Sequence, residues 1–417
     1  MYDQKILVTG GLGYIGVHVC IKLMESNFNV VVIDNFNNSP RDTPDKISTI
    51  TGRGITFYEG DLCDIAFLRK VFQKELHFSC AVHLAALVLV HESVSDPVKY
   101  YDINVTGSIA LLKVMSEYKC KRLVFSSSSA VYADSKLSSV SESDALSPKT
   151  PYARSKIVIE ELLISQCHAD PLWTVVILRL FSPVSSHPSG EFCEPNINIT
   201  NSSCIENLVN IATGMATDVT VENHGLTAHD YVHVMDAADG FVSAVCEIMN
   251  QSFAGIEIIN IGSGIATTDN DLIDAFQEAT GISIKRESND IVSCNVTQSG
   301  ADISKALRLL GWKPNLSISQ ICVNSIPHQY VGTYEYNNHC IKNIHELCHQ
   351  TIRKCELLSR ENAMSSTMLS RKVDIASDLC NLIESFGAFH RQWKYVGKDK
   401  QRVLHRSRRA PAVLSKL

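Results

Sequence analysis

Several things are scarce in this 417-residue chain, and each shortage removes a class of protein. The longest apolar runs are strand-sized, such as NVVVI at residues 29–33, far short of the roughly 20 residues a membrane-crossing helix needs. Positive charge is not in surplus: net charge is −6 and pI about 6.2, so nucleic acid is not expected as the main partner. The fourteen cysteines include no CxxC pair and read as reduced, small core residues. The opening MYDQKILVTGG runs straight into a strand with no secretory apolar segment, so an intracellular protein is expected. The tripeptides NVT (104–106 and 295–297) and NIT (198–200) are then silent sequons.

What is present is a regular alternation. KILVT (5–9), NVVVID (29–34), ITFYEGD (55–61), SCAVHLAA (79–86), KRLVFSS (121–127) and WTVVILRL (173–180) read as buried strands, with helical stretches between them. That pattern predicts an α/β fold built on a doubly wound parallel Rossmann sheet. After Pro183 the texture changes to a Ser-, Pro- and Asn-rich loop (185–203) and shorter elements. The expected organisation is a nucleotide-binding domain over 1–182, a smaller C-terminal substrate domain over 183–334, a helical extension over 335–393 and a basic tail over 394–417. In the extension His345, Cys348 and His349 share a helical face, but no second cluster at finger spacing accompanies them. They read as ordinary helix packing, and no metal is expected.

Gly10, Gly13 and Gly16 lie between the first strand and the first helix. Backbone amides and a helix N-terminus there can hold a pyrophosphate. Asp34 ends the second strand, where a carboxylate takes both ribose hydroxyls and repels a 2′-phosphate, so NAD is expected over NADP. Asp61 ends the third strand and is placed to meet the adenine.

TPYARSK (150–156) supplies a helix start, with Thr150 as N-cap and Pro151 at the first position. Tyr152 and Lys156 then sit one turn apart on one side. The same spacing recurs at Tyr132 and Lys136, but that pair runs into a Ser-rich stretch and reads as a loop. In FSSSSAVY (125–132) Ser128 ends a strand and faces the ligand crevice. An ammonium beside a phenol stabilises the phenolate and lowers its pKa. Tyr152 becomes a base for a substrate hydroxyl, Ser128 holds that oxygen, and the carbon gives hydride to NAD.

From Lys5 to about Pro314 the chain resembles the extended short-chain dehydrogenase/reductases, and within them the UDP-glucose 4-epimerases. The resemblance rests on VTGGLGYIGVHVC, VIDNFNNS, EGDLCD, ESVSDPVKYYDINVTGS, VFSSSSAVYAD, PYARSK, HPSGE, DYVHVMDAADG and LGWKP. It implies oxidation at C4 of a UDP-sugar, rotation of the 4-keto intermediate, and return of hydride to the other face. It implies Ser128, Tyr152 and Lys156 as catalytic residues. Gly10, Gly13, Tyr14, Ile15, Gly16, Asp34, Asn35, Asp61, Leu62, Ala85, Tyr152, Lys156 and Phe181 lie along NAD, and Ser128, Tyr152, Phe181, Ser182 and His229 along the substrate. It also implies a homodimer, through two sheet-flanking helices of each partner.

Departures from the family's pattern cluster at the sugar nucleotide. Val88 stands for a cofactor-contacting lysine, Ile103 and Ser182 for asparagines, and His229 for an arginine that grips the diphosphate. A second such arginine falls near Arg286 or Glu287, and the residue controlling room for an N-acetyl group near Cys294 or Ser299. A mostly neutral histidine cannot reproduce a guanidinium fork. Two readings follow: an active nucleotide-sugar epimerase interconverting UDP-glucose and UDP-galactose, or an NAD-binding relative that serves as scaffold or regulator. A 4,6-dehydratase fits less well, because Ser129 and Ala130 follow Ser128 where those enzymes carry Asp-Glu. Ser415-Lys416-Leu417 matches a peroxisomal address, giving a peroxisomal or glycosomal location and an import receptor as partner, with the cytoplasm as alternative.

Overall fold

The computed structural model describes residues 4–132, 139–193, 203–288 and 299–327. Strand β1 (Lys5–Thr9) shows why the strands read as continuous apolar runs. Ile6 and Val8 enter one core and Leu7 the other, so both faces are covered. The same holds for β2 (Asn29–Asp34), where Val30 and Val32 face one core and Val31 and Ile33 the other. With β3 (Thr56–Glu59), β4 (Cys80–His83), β5 (Arg122–Ser128), β6 (Thr174–Leu180) and β7 (Gly255–Ile261) they form a seven-stranded parallel sheet in the order β7-β6-β5-β4-β1-β2-β3. Strand order reverses between β1 and β4, and a ligand crevice opens at such a switch point.

Helices Tyr14–Glu25 and Val234–Met249 cover one face; Ile65–Glu75, Gly107–Glu117 and Pro151–Ala169 cover the other. Each large apolar side chain buried in these layers stabilises the fold by about 1.5–3 kcal/mol relative to exposure. Thr150 caps the last of these helices as expected, its hydroxyl accepting from the Ala153 amide at 3.3 Å.

The structure revises the sequence reading in two places. The helical stretch expected between SCAVHLAA and KRLVFSS is broken into pieces that include Pro97–Tyr100, a π-helical turn at Tyr101–Thr106, and Gly107–Glu117. The chain beyond residue 182 is also not confined to a separate small domain. It returns to the main body, adding the Val234–Met249 helix and strand β7, which pairs with β6 from Gly255↔Thr174 to Ile261↔Leu180. Met1–Gly332 accordingly forms one compact unit. The remaining small elements gather at the carboxyl edge, including a three-stranded sheet of Ser182–Val184, Ala228–His233 and Ala266–Thr268. Thr333–Leu417 is a second unit, and the expected extension, basic tail, His345, Cys348, His349 and the terminal tripeptide lie outside the described residues. No helix among the described residues is long and apolar enough to cross a membrane.

Candidate active site

The glycine turn is shaped by close approach. Gly10 has φ +68°, and a Cβ there would sit 2.7 Å from the backbone N and Cα of Ala85, so the loops after β1 and β4 nearly touch. A Cβ on Gly16 would collide with the carbonyl oxygen of Gly10, so this glycine lets the first helix press against the turn. Gly13 is the helix N-cap, in extended conformation and without a capping side chain. The positive end of the helix therefore faces the crevice, as a pyrophosphate requires. Ile15 packs its side chain against the core, leaving its backbone for the crevice. Tyr14 reaches across, its hydroxyl donating to the carbonyl of Ser185 at 2.6 Å.

Asp34 is organised by the same turn. Its carboxylate accepts the amides of Leu12 at 3.0 Å and Phe36 at 2.8 Å. Burial pushes its pKa up, and these amides with that of Asn35 pull it down. A carboxylate has about four lone-pair sites, so acceptor capacity is left for a ribose hydroxyl. Asn35 stands 3.5 Å from Asp61, whose other oxygen accepts the Cys63 amide at 2.8 Å. The side chain of Leu62 packs against the second core. The residues expected along NAD are thus brought together at one edge of the sheet, and their donors and acceptors fit the dinucleotide.

Ser128, Tyr152 and Lys156 also converge. Ser128 ends β5, and its hydroxyl oxygen accepts the Ala130 amide at 3.2 Å. Burial raises the pKa of the Tyr152 phenol, and its hydrogen bond with the Ser128 side chain offsets part of that rise. Lys156 is 3 % exposed and donates to the carbonyl of Ser126 at 2.8 Å. Its ammonium lies 5.9 Å from the Tyr152 ring centre. Burial brings its pKa down to about 8, and Glu160 raises it. This corrects the expectation that Lys156 leaves the phenol below its ordinary value. Here desolvation wins and the phenol is raised, with Ser128 as the group that favours the phenolate.

Asn104 was not singled out in the sequence, although it lies in the ESVSDPVKYYDINVTGS stretch that carries the resemblance. It is buried in the π-helical turn, accepts the Leu87 amide at 2.8 Å, and donates to the Leu87 carbonyl at 3.1 Å and the Ser155 hydroxyl at 3.2 Å. It therefore ties the loop carrying Ala85 to the helix carrying Tyr152 and Lys156. The available signal was its place in that stretch, just ahead of an apolar helical run.

On the substrate side, Phe181 is buried with its ring 6.3 Å from that of Tyr132. Ser182 pairs in the small sheet with Tyr231, and His229 lies on that neighbouring strand. Burial lowers the His229 pKa to about 4, so the ring is neutral at pH 7. The Arg286 guanidinium is bonded to Asp274 and, at 3.3 Å, to Asn270. Glu287, the other position near the missing arginine, pairs with Lys285 at 2.8 Å. Of the two positions near the N-acetyl control point, Ser299 is fully buried and Cys294 lies outside the described residues. Val88 is about half exposed. Among the described residues no group of three or more His, Cys, Asp or Glu is placed to hold a metal ion.

Comparison with known proteins decides the family. The family described as GDP-mannose 4,6 dehydratase matches residues 7–324. The UDP-glucose 4-epimerase of Bacillus subtilis is 35 % identical over 333 residues, covering 77 % of this chain and 96 % of that protein. The chain belongs to the UDP-glucose 4-epimerase family. The Neisseria meningitidis serogroup C enzyme of that name is 36 % identical over 329 residues, covering 77 % and 96 % of the two chains. Among solved structures, the epimerase of Stenotrophomonas maltophila with bound NAD and formylated UDP-arabinopyranose superposes with a TM-score of 0.74 at 33 % identity, covering 77 % of this chain and 96 % of that one. The Bifidobacterium longum epimerase in complex with NAD+ and UDP gives 0.73 at 33 % identity, covering 78 % and 98 %.

Proposed function

We propose that this protein is an NAD-dependent 4-epimerase of UDP-sugars, interconverting UDP-glucose and UDP-galactose. The observation that carries the reading is the convergence of Ser128, Tyr152 and Lys156 beside a crevice fitted for the dinucleotide. Bound NAD would supply a reversible hydride acceptor at this crevice. Tyr152 takes the proton of the C4 hydroxyl, and Ser128 orients that oxygen and stabilises the phenolate. Lys156 supplies positive charge beside the phenol, and loses it as pH rises through about 8. Phe181 and Asn104 hold the surrounding walls. The residues after Ser128 favour epimerase over dehydratase chemistry: Ser129 and Ala130 form the next turn, with no carboxylate there to take a second proton.

The nucleotide grip is weaker than the resemblance implies, because His229 is neutral and Arg286 is occupied by Asp274. UDP-glucose binding and turnover, measured in one preparation, are expected to give turnover with a weak Kd. His229→Arg is expected to tighten binding about tenfold, the order of one charge-assisted hydrogen bond. Tight binding by the unaltered protein would show that other groups hold the diphosphate, and NAD binding without turnover would favour the scaffold reading.

A homodimer is also proposed. Val94, Val98, Tyr101 and Val158 are exposed on the mutually packed segments Val90–Ser95, Pro97–Tyr100, Tyr101–Thr106 and Pro151–Ala169, with Val98 76 % exposed. Exposed apolar groups gathered this way mark an interaction surface. Sedimentation is expected to give a dimeric mass, and a monomer at micromolar concentration would overturn this. A peroxisomal or glycosomal location with an import receptor rests on Ser415-Lys416-Leu417. A reporter carrying residues 398–417 is expected in punctate organelles, dependent on Leu417; a diffuse signal would place the protein in the cytoplasm.

A further inference from the structure

Behind the catalytic helix lies a buried charge layer that the mechanism above leaves unused. Glu160 follows Lys156 by one helical turn and is 2 % exposed. Its carboxylate accepts Ser127 Oγ at 2.5 Å, Arg179 Nε at 3.1 Å and Arg179 Nη2 at 2.7 Å. Arg179, equally buried on β6, donates further to the Tyr132 hydroxyl at 2.9 Å and the Glu142 carbonyl at 3.2 Å. Tyr132 in turn donates to Asn260 of β7 at 2.7 Å. The layer therefore links four elements behind the site: the end of β5, the catalytic helix, β6 and β7.

We propose that Glu160 is a positioning residue for the epimerase reaction: it holds Lys156 as an ammonium and pins the strand end that carries Ser128. Two geometric facts support it. Lys156 bonds the carbonyl of Ser126 and Glu160 bonds the hydroxyl of Ser127, so both ends of this helical turn grip the residues just before Ser128. Lys156 is also almost wholly buried, where an ammonium without a counter-charge loses its proton readily. The groups facing it are few. His83 of β4 lies in its field and is kept neutral by burial, and its ring accepts or donates to Thr9 at 2.7 Å and Ser108 at 2.9 Å. Tyr152 is on its own helix, with Tyr100 beyond it coupled to Tyr152. Among the described residues the carboxylate whose charge raises the Lys156 pKa is Glu160, one helical turn away, and Arg179 competes for it.

The competition makes the test one of sign. Glu160→Gln removes the counter-charge and leaves a second cation nearby, so Lys156 should deprotonate at lower pH. Arg179→Gln releases Glu160 to Lys156, so deprotonation should move to higher pH. Each shift is expected to be about one pH unit, the size of a close buried charge effect. The readouts on full-length holoprotein are the alkaline limb of the kcat profile for UDP-glucose and the titration of the Lys156 Cε resonance in lysine-labelled protein. The resonance does not depend on turnover, so it separates failure of this inference from failure of the epimerase reading on which it rests. Opposite shifts in the two variants establish the role. A limb and resonance unmoved in either folded variant, or moved the same way in both, would overturn it. Should Glu160→Gln fail to fold, Arg179→Gln decides alone: an upward shift supports the proposal, and any other result sinks it.

Discussion

Tyr152→Phe is expected to lower interconversion of UDP-glucose and UDP-galactose by roughly 100- to 10,000-fold, the usual cost of losing a general base. The substitution removes one oxygen and leaves the ring's packing intact. Its effect should therefore appear in kcat, with NAD content and melting temperature close to those of the parent. The expectation follows from Tyr152 being the titratable group that joins Ser128, through a hydrogen bond, to the field of Lys156. Removing the phenol also releases Ser128 from its partner. Turnover within a few fold of the parent would take Tyr152 out of the mechanism and move attention to Ser128.

The second large effect is expected at Gly16. Gly16→Ala places a methyl group against the carbonyl oxygen of Gly10 and within 2.7 Å of the Gly11 Cα, both backbone atoms that cannot step aside as a side chain would. Relief requires the first helix to move away from the turn. That helix carries Ile15, Val17 and other residues into the first core, so the movement costs packing as well, on the order of 1–3 kcal/mol. The N-terminus that faces the crevice retreats at the same time. The expected result is protein purified with little NAD, an apparent NAD affinity reduced about tenfold or more, and a lower melting temperature. Parent-like NAD content in Gly16→Ala would mean that the turn is not the pyrophosphate site. Gly13→Ala provides the contrast, since a Cβ there meets nothing nearer than 3.4 Å and should be milder.

Much of the fold was legible because its signals are local. β1 and β2 coincide with KILVT and NVVVID, since strands covered on both faces leave unbroken apolar runs. The Pro151–Ala169 helix begins at the residue its cap and proline mark. The site residues were legible for a related reason: Ser128 at a strand end, Tyr152 and Lys156 one turn apart, and Asp34 after the second strand are spacings that backbone geometry converts directly into proximity.

What the sequence alone could not determine was anything that depends on burial or on partners distant along the chain. The spacing of Tyr152 and Lys156 predicted a lowered phenol pKa, but desolvation has the opposite sign and is larger here. His229 could be read as a lost charge. Only its half-buried place on the small sheet shows how firmly desolvation holds the ring neutral. Residues past 182 looked like a separate domain because their elements are short, yet β7 completes the main sheet through pairing with a strand about eighty residues earlier. Asn104 lay in a stretch of the resemblance that gave no sign of its partners, and the Glu160–Arg179 pair carried no recognisable motif. Their roles arise where the π-helical turn meets the Leu87 loop and where the catalytic helix lies against β5 and β6. The sequence determined the order of the strands along the chain and which residue types line the candidate cofactor crevice. The tertiary structure decided which charges are desolvated and which partners they find, because both depend on distances between segments that composition and spacing do not contain.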